Sequence, residues 1–218
     1  GFKEYKSILG FYGPAIYCFM FFFVVRLSNL IACRKHILRG HKGEIVSPSH
    51  LNDNWLRNYS LPDLKSVKLL YIGRLRVEKG IFSLFKILEN SNINLTVVTS
   101  EKEINLNKVF KNINILSFEN YNDTIIKFYD ENNIFILPSF TEGHPQVLDE
   151  ALARQRPVII FSEISHVVRD RKGVFTAERN LNSLNEKINY IMKNYHIIQD
   201  DLKKNRLPTK SQFINQLT

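Results

Sequence analysis

The sequence predicts an α/β fold, a doubly wound parallel sheet covered by helices on both faces, with a helical remnant ahead of it near the N-terminus. Three observations carry that expectation. Residues 67–72 (VKLLYI), 134–137 (IFIL) and 157–161 (PVIIF) are continuous apolar runs but for Lys68 near the start of the first, as strands buried on both faces require. Segments of about ten residues with helical spacing stand between such runs, the alternation that builds parallel sheets. The 218 residues are 44% hydrophobic and 23% charged, which is ordinary for a domain with a core and excludes disordered or collagen-like chains.

Taken in order, the chain opens on Gly1 without a signal-peptide cleavage pattern and reads as a piece of a longer protein. Residues 7–25 contain no charge. Gly10, Gly13 and Pro14 interrupt the first half of that stretch, so a helix is expected from Pro14 to about Ala32. Its phenylalanines (19, 21, 22 and 23) crowd every side. Three readings therefore stay open: a buried or inter-domain helix, an interfacial helix with its basic flank on a bilayer, and a transmembrane span. A short strand at 44–46 ends at Ser47-Pro48-Ser49, and the polar stretch 52–63 reads as linker. The expected organisation is a remnant over 1–46, a linker over 47–66 and one α/β domain over 67–218. Within that domain strands are expected at 67–72, 94–99, 113–116, 134–137 and 157–161. Helices are expected at 81–88, 122–130, 145–153 and 181–192, where apolar residues recur on one face.

Charge and metal-ligating residues narrow the function classes. Thirty Lys and Arg against 21 Asp and Glu leave a net charge of +9. Residues 1–42 hold Lys3, Lys6, Arg26, Arg34, Lys35, Arg39 and Lys42 against Glu4 alone. Such a local flank suits anionic lipid or phosphate at least as well as nucleic acid. No helix-turn-helix or basic–aromatic platform accompanies it, so no nucleic-acid partner is expected. Cys18 and Cys33 form no C-x-x-C pair, which points to a reducing compartment without disulfide or zinc. His36, His41, His50, His166 and His196 lack metal-like spacing and read as ordinary residues.

A parallel sheet binds ligands where its strands end and helices begin. The loop Gly73-Arg74-Leu75-Arg76-Val77-Glu78-Lys79-Gly80 leaves such a strand. An Arg fork and an ammonium there suit a diphosphate; the plain alternative is a solvated charged loop. It is neither a Walker loop nor G-x-G-x-x-G, which disfavours a nicotinamide cofactor. The second loop holds Glu142 and leads into a helix that carries Glu150. Two carboxylates placed this way can each accept paired hydrogen bonds from vicinal hydroxyls, as on a sugar, while the amides of Gly143 and the first helical turn meet an anion. The plain alternative has Glu142 capping the helix and Glu150 on the surface.

The segments 69–80 (LLYIGRLRVEKG) and 133–159 (NIFILPSFTEGHPQVLDEALARQRPVI) resemble the nucleotide-sugar-binding domain of glycosyltransferase family 4, retaining enzymes with two Rossmann-like domains in the GT-B architecture. The likeness covers roughly 67–161 and weakens toward 193. Glu142 and Glu150 meet the family's E-x7-E signature, and Gly73 to Gly80 its G-R-(x)4-K-G. The resemblance implies a Rossmann-like donor domain in which Glu142 contacts the sugar, Glu150 the ribose hydroxyls, and Arg74 and Lys79 the departing diphosphate. It also implies donor contacts from Gly73 and from the backbone around Gly143, His144 and Pro145 and at Val147 and Leu148, with Asn120 in a loop near the base. Residues 1–46 then correspond to the end of the acceptor-side domain. The sequence departs from the family pattern at 99–101, 153–157, 162–168 and His144, which leaves the donor's identity open.

The function implied is transfer of a sugar from a nucleotide-sugar to a glycan or lipid-linked acceptor, with retention, in cell-surface polysaccharide synthesis. No metal or other cofactor is expected, since two cations serve the diphosphate. The expected place is the cytoplasm, with peripheral contact to the cytoplasmic face of the membrane. A sugar-nucleotide epimerase of the same architecture and a non-catalytic nucleotide-sugar-binding module are the alternatives.

Overall fold

A computed structural model describes residues 2–33, 35–101, 111–117 and 124–217. The chain divides into two compact units, Gly1–Pro48 with Phe213–Thr218, and Ser49–Gln212.

In the first unit, α1 (Phe2–Leu9) and α2 (Gly13–Leu27) pack together where Gly13 lets α2 close on α1. A Cβ at Gly13 would lie 2.1 Å from the Tyr5 carbonyl oxygen. The helix ends at Leu27, short of the expected end at 32. From Ser28 the backbone is extended, and β1 (Ile31–Ala32) pairs in parallel with β2 (Glu44–Ile45). Strand pairing thus wins over helix continuation in a stretch whose periodicity was indifferent. The segment Gly10–Leu27 is long and apolar enough to cross a membrane by length and composition, and Phe19, Phe22 and Phe23 are exposed on it.

The second unit starts with α3 (Asp53–Leu56), capped by Asn52, whose side chain accepts from the Asn54 amide. Residues 49–66, expected to be linker, belong to this unit, so the boundary falls at 48–49 rather than 66–67. Leu51 and Trp55 sit in its core. The polar residues around them are held by two buried arginines: Arg154 donates to the carbonyls of Asn54, Trp55, Arg57 and Asn58, and Arg156 to that of Ser60. Residues 213–218, assigned from the sequence to the α/β domain, group with the first unit.

The sheet is built from β3 (Lys68–Ile72), β4 (Asn94–Thr99), β5 (Ile113–Ser117), β6 (Ile134–Leu137), β7 (Val158–Phe161) and β8 (Val174–Ala177). Every pairing is parallel, in the order β5-β4-β3-β6-β7-β8. β6 and β7 are buried at every position, so both faces are covered. The connecting helices are α4 (Ile81–Leu88), α5 (Thr124–Glu131) and α6 (Gln146–Ala153), followed by α7 (Leu181–Lys193), α8 (Tyr195–Leu202) and α9 (Lys210–Asn215). α4 buries Ile81, Leu84, Phe85 and Leu88, one helical face against the sheet. The order is that of a dinucleotide-binding sheet, whose direction of winding reverses between β3 and β6. The loops leaving those two strands are the two singled out from the sequence.

Candidate active site

The loop after β3 reaches the helix α4 through Gly80, whose φ of +66° is left-handed. A side chain is excluded there, because a Cβ would stand 1.9 Å from the Pro138 carbonyl oxygen. That approach joins the two loops, and the Phe140 amide donates to the Glu78 carbonyl at 3.0 Å. The Tyr71 hydroxyl donates to the Arg74 carbonyl at 2.7 Å; burial pushes its phenol well above the usual value. Glu101 accepts from the Leu75 amide at 3.2 Å. The loop at 99–101 thus pins the loop at 73–80.

Where the two loops meet, Lys79 Nζ lies 2.6 Å from Glu142 Oε1, and the Ser139 hydroxyl donates to the same oxygen at 2.7 Å. His166 Nε2 is 2.9 Å from the Glu142 backbone oxygen. Arg179, in the loop after β8, donates to the Pro138 carbonyl at 2.9 Å and pairs with Glu163 at 2.6 Å. Its guanidinium lies over Phe140 and Phe161, 4.1 and 4.3 Å from the ring centroids. The loop that bears Glu142 is therefore braced from two sides.

α6 begins after Pro145, and among the described residues no side chain caps it. Glu142 does not serve as the cap, and Glu150 is no surface charge: it is 1% exposed. The Tyr129 hydroxyl donates to Glu150 Oε2 at 2.7 Å, and His50 Nε2 lies 3.2 Å from Oε1. His50 Nδ1 stands 2.6 Å from the Gln146 side-chain oxygen. The Glu150 carboxylate holds the His50 imidazole above its usual pKa, against partial burial. Asp149 is also buried, gripped by Arg171 through two bonds of 2.7 and 3.0 Å, with His144 Nε2 at 3.6 Å.

A cavity of about 410 Å³ is lined by Lys79, Glu142, His144, Pro145, Val147 and Glu150, together with His50 and Gln146. Six of the residues expected from the sequence are thus brought together. Gly143 is exposed beside them, and Gly73 closes the sheet end by donating to the Val98 carbonyl. The Leu148 side chain is buried in the core, and the contact expected of this residue is through its backbone. Arg74 is exposed and outside the cavity lining. Asn120 and the rest of the loop 118–121 lie outside the described residues. Arg154 and Arg156 stand at the amino ends of the strands, away from the cavity. Their departure from the family pattern is structural.

His50, His166, Arg171 and Arg179 were not expected near the site. His50 lies two residues after Pro48 in a polar stretch, and nothing in its neighbours marks it. Arg179 follows a strand, VFTA, too short and mixed to stand out.

A helix N-terminus, a lysine paired to a loop glutamate and a buried helical glutamate, gathered at the reversal of a parallel sheet, agree with what comparison finds. The family described as glycosyl transferases group 1 matches residues 55–207. The chain belongs to that family. It is 27% identical over 204 residues to the capsular polysaccharide biosynthesis glycosyltransferase CapM of Staphylococcus aureus, covering 87% of this chain and 50% of CapM. The chain spans about half the length of the curated relatives it matches. Among solved structures, TarM superposes with a TM-score of 0.67 at 14% identity, over 92% of this chain and 45% of TarM. A mutant S. aureus TarM in complex with Fondaparinux, alpha-GlcNAc-glycerol and UDP gives 0.63 at 18% identity, over 87% and 44%. At such identities these likenesses show the fold, a Rossmann-like half of the GT-B type.

Proposed function

We propose that this family member is the donor-binding half of a retaining glycosyltransferase that moves a sugar from a nucleotide-sugar to a glycan or lipid-linked acceptor in cell-surface polysaccharide synthesis. One observation carries the reading: Lys79, Glu142 and Glu150 line a single cavity at the sheet's reversal. In this reading Glu150 holds the ribose hydroxyls and Glu142 the sugar. Lys79 turns from Glu142 toward the diphosphate and neutralises it as it leaves, with Arg74 at the exposed edge of the same loop. Fixed charge at the developing negative charge is then the protein's main contribution to the rate. No metal is invoked, because the cations of the loop serve the diphosphate.

Calorimetry with UDP, GDP and ADP, and with their glucose conjugates, tests the division of roles. Glu150→Gln is expected to weaken nucleoside diphosphate and nucleotide-sugar alike, and Glu142→Gln to weaken the nucleotide-sugar alone. Lys79→Met is expected to lose about 10- to 150-fold for the diphosphate, a charge-assisted contact of about 1.5–3 kcal/mol, and little for the nucleoside. Equal losses from both glutamates refute the assignment, and a strict Mg²⁺ requirement refutes the metal-free reading. Since the chain spans half of CapM, we expect it to bind nucleotide and transfer no sugar by itself. The proposal sets the reaction in the cytoplasm. Membrane contact rests on the exposed phenylalanines of α2 and the basic residues Lys35, Arg39 and Lys42 beyond it, and vesicles that fail to retain the chain refute it.

A further inference from the structure

His50 comes to the site from a segment with no part in either loop motif. Leu51 and Trp55 anchor that segment in the core, with the Trp55 ring edge-on to both His50 and Tyr129 at 5.6 Å between centroids. Ser49 and Leu51 tie it further, through the Ser49 hydroxyl on the Pro208 carbonyl and the Lys210 amide on the Leu51 carbonyl. The imidazole is thus delivered by a fixed piece of backbone to the carboxylate that the proposed function gives to the ribose.

Both ring nitrogens face oxygen acceptors: Nδ1 the Gln146 side chain at 2.6 Å, and Nε2 Glu150 at 3.2 Å. A neutral imidazole carries one N–H and serves one acceptor; only the imidazolium serves both. The charged groups around the ring favour that form. Glu150 faces it from α6, and Lys210 opposes from the start of α9. Lys79, Glu142 and His144 line the same cavity, and Tyr129 meets Glu150 from α5. Glu150 Oε2 accepts from Tyr129 and Oε1 faces His50, so an incoming hydroxyl pair must share the carboxylate with both.

We infer that His50 is a positioning residue for Glu150: as an imidazolium it occupies the carboxylate, and a vicinal diol of the donor binds in competition with it. This deepens the donor reading and rests on it. A neutral diol replaces a charged donor, so donor binding lowers the proton affinity of His50 and releases a proton. Donor affinity accordingly rises as pH rises through the His50 titration, by at most about tenfold per pH unit for one coupled proton.

Two measurements separate this inference from the donor reading. The first follows the His50 imidazole by NMR in the ligand-free chain, with His50→Gln to identify the resonance. A pKa above the usual value is expected, falling in Glu150→Gln and staying in Glu142→Gln. An ordinary pKa, which a reversed Gln146 amide would produce, or one indifferent to Glu150→Gln, overturns the pairing. The second is calorimetry with UDP-glucose, whose diphosphate diester does not titrate between about pH 5.5 and 8.5, the range of a histidine. Wild type is expected to bind several-fold more weakly at the acid end, and His50→Gln to bind equally well throughout. A slope kept by His50→Gln overturns the competition. Should neither UDP-glucose nor its GDP and ADP counterparts bind wild type at any pH, the donor reading and the competition fall together. The NMR titration still decides whether His50 holds Glu150.

Discussion

Arg154 offers the sharpest test of how this fold is held. Its side chain is 2% exposed, and its five N–H groups meet six oxygen acceptors: two on Asp130, at 3.0 and 2.7 Å, and the carbonyls of Asn54, Trp55, Arg57 and Asn58, at 2.8–3.2 Å, three of them shared by the two hydrogens of Nη1. Truncation to alanine removes every donor and leaves Asp130 and the buried Trp55 carbonyl without them. Breaking one side of a buried ion pair costs about 3–5 kcal/mol. The lower end applies here, because Asp130 is 19% exposed and Arg156 remains 3.6 Å away. A loss of about 3 kcal/mol lowers the melting temperature of a chain this size by about 6–12 °C. Lysine keeps the charge and lacks the planar fork, so Arg154→Lys is expected to recover less than half of the loss. Thermal and urea unfolding measure the total, and hydrogen exchange localises it, with faster exchange at residues 54–60 than in β6 or β7. A fall of under about 2 °C for alanine, or full recovery with lysine, refutes the claim that the guanidinium fork holds this segment.

Two further perturbations follow from the same geometry. Gly80→Ala puts a Cβ where φ is +66° and the Pro138 oxygen is 1.9 Å away. Left-handed strain alone costs about 1–2 kcal/mol, and the loop bearing Glu142 must also move, so both the urea midpoint and nucleotide affinity are expected to fall. Unchanged affinity with reduced stability would refute the coupling of the two loops. Arg179 holds the Glu163 carboxyl below its usual range through their hydrogen bond. A depressed carboxylate stabilises the fold above its unfolded pKa, and that contribution disappears as pH falls through the folded value. Glu163→Gln is therefore expected to flatten the acid side of the stability profile, and urea midpoints from neutral to acid pH check it.

The sheet was legible because burial on both faces leaves a run of apolar residues that few other structures require. The strands 94–99 and 134–137 and the helix 81–88 stand where their periodicity places them. β8 was not expected, and of the C-terminal helices expected within 67–218 only the one at 181–192 had bounds, so α8 was not placed. VFTA alternates weakly and is half-buried at three of its positions, and α8 follows α7 after a single residue, Asn194. Local pattern misled most at 49–66. Polar composition there reads as solvent-exposed chain, yet Arg154 and Arg156 supply its carbonyls with donors from a hundred residues away.

The candidate site divides along the same line. Lys79, Glu142 and Glu150 were evident from the sequence because each sits at a fixed distance along the chain from a strand end or a helix start, and a parallel sheet carries all such positions to one edge. What each side chain does there was settled by contacts between distant segments. Glu142 is met by Lys79 and Ser139 and braced through Arg179, and Glu150 is buried between Tyr129 and His50. His50 had no sequence signal at all. Its role depends on the backbone path of a segment anchored by Leu51, Trp55 and the buried arginines. Periodicity and spacing are properties of neighbours in the chain, so the sequence alone could determine the parallel sheet and the edge where the motif residues gather, while the strand order came from the structure. Which side chains meet across that edge, and in which charge state, is set by long-range packing, and only the tertiary structure decided it.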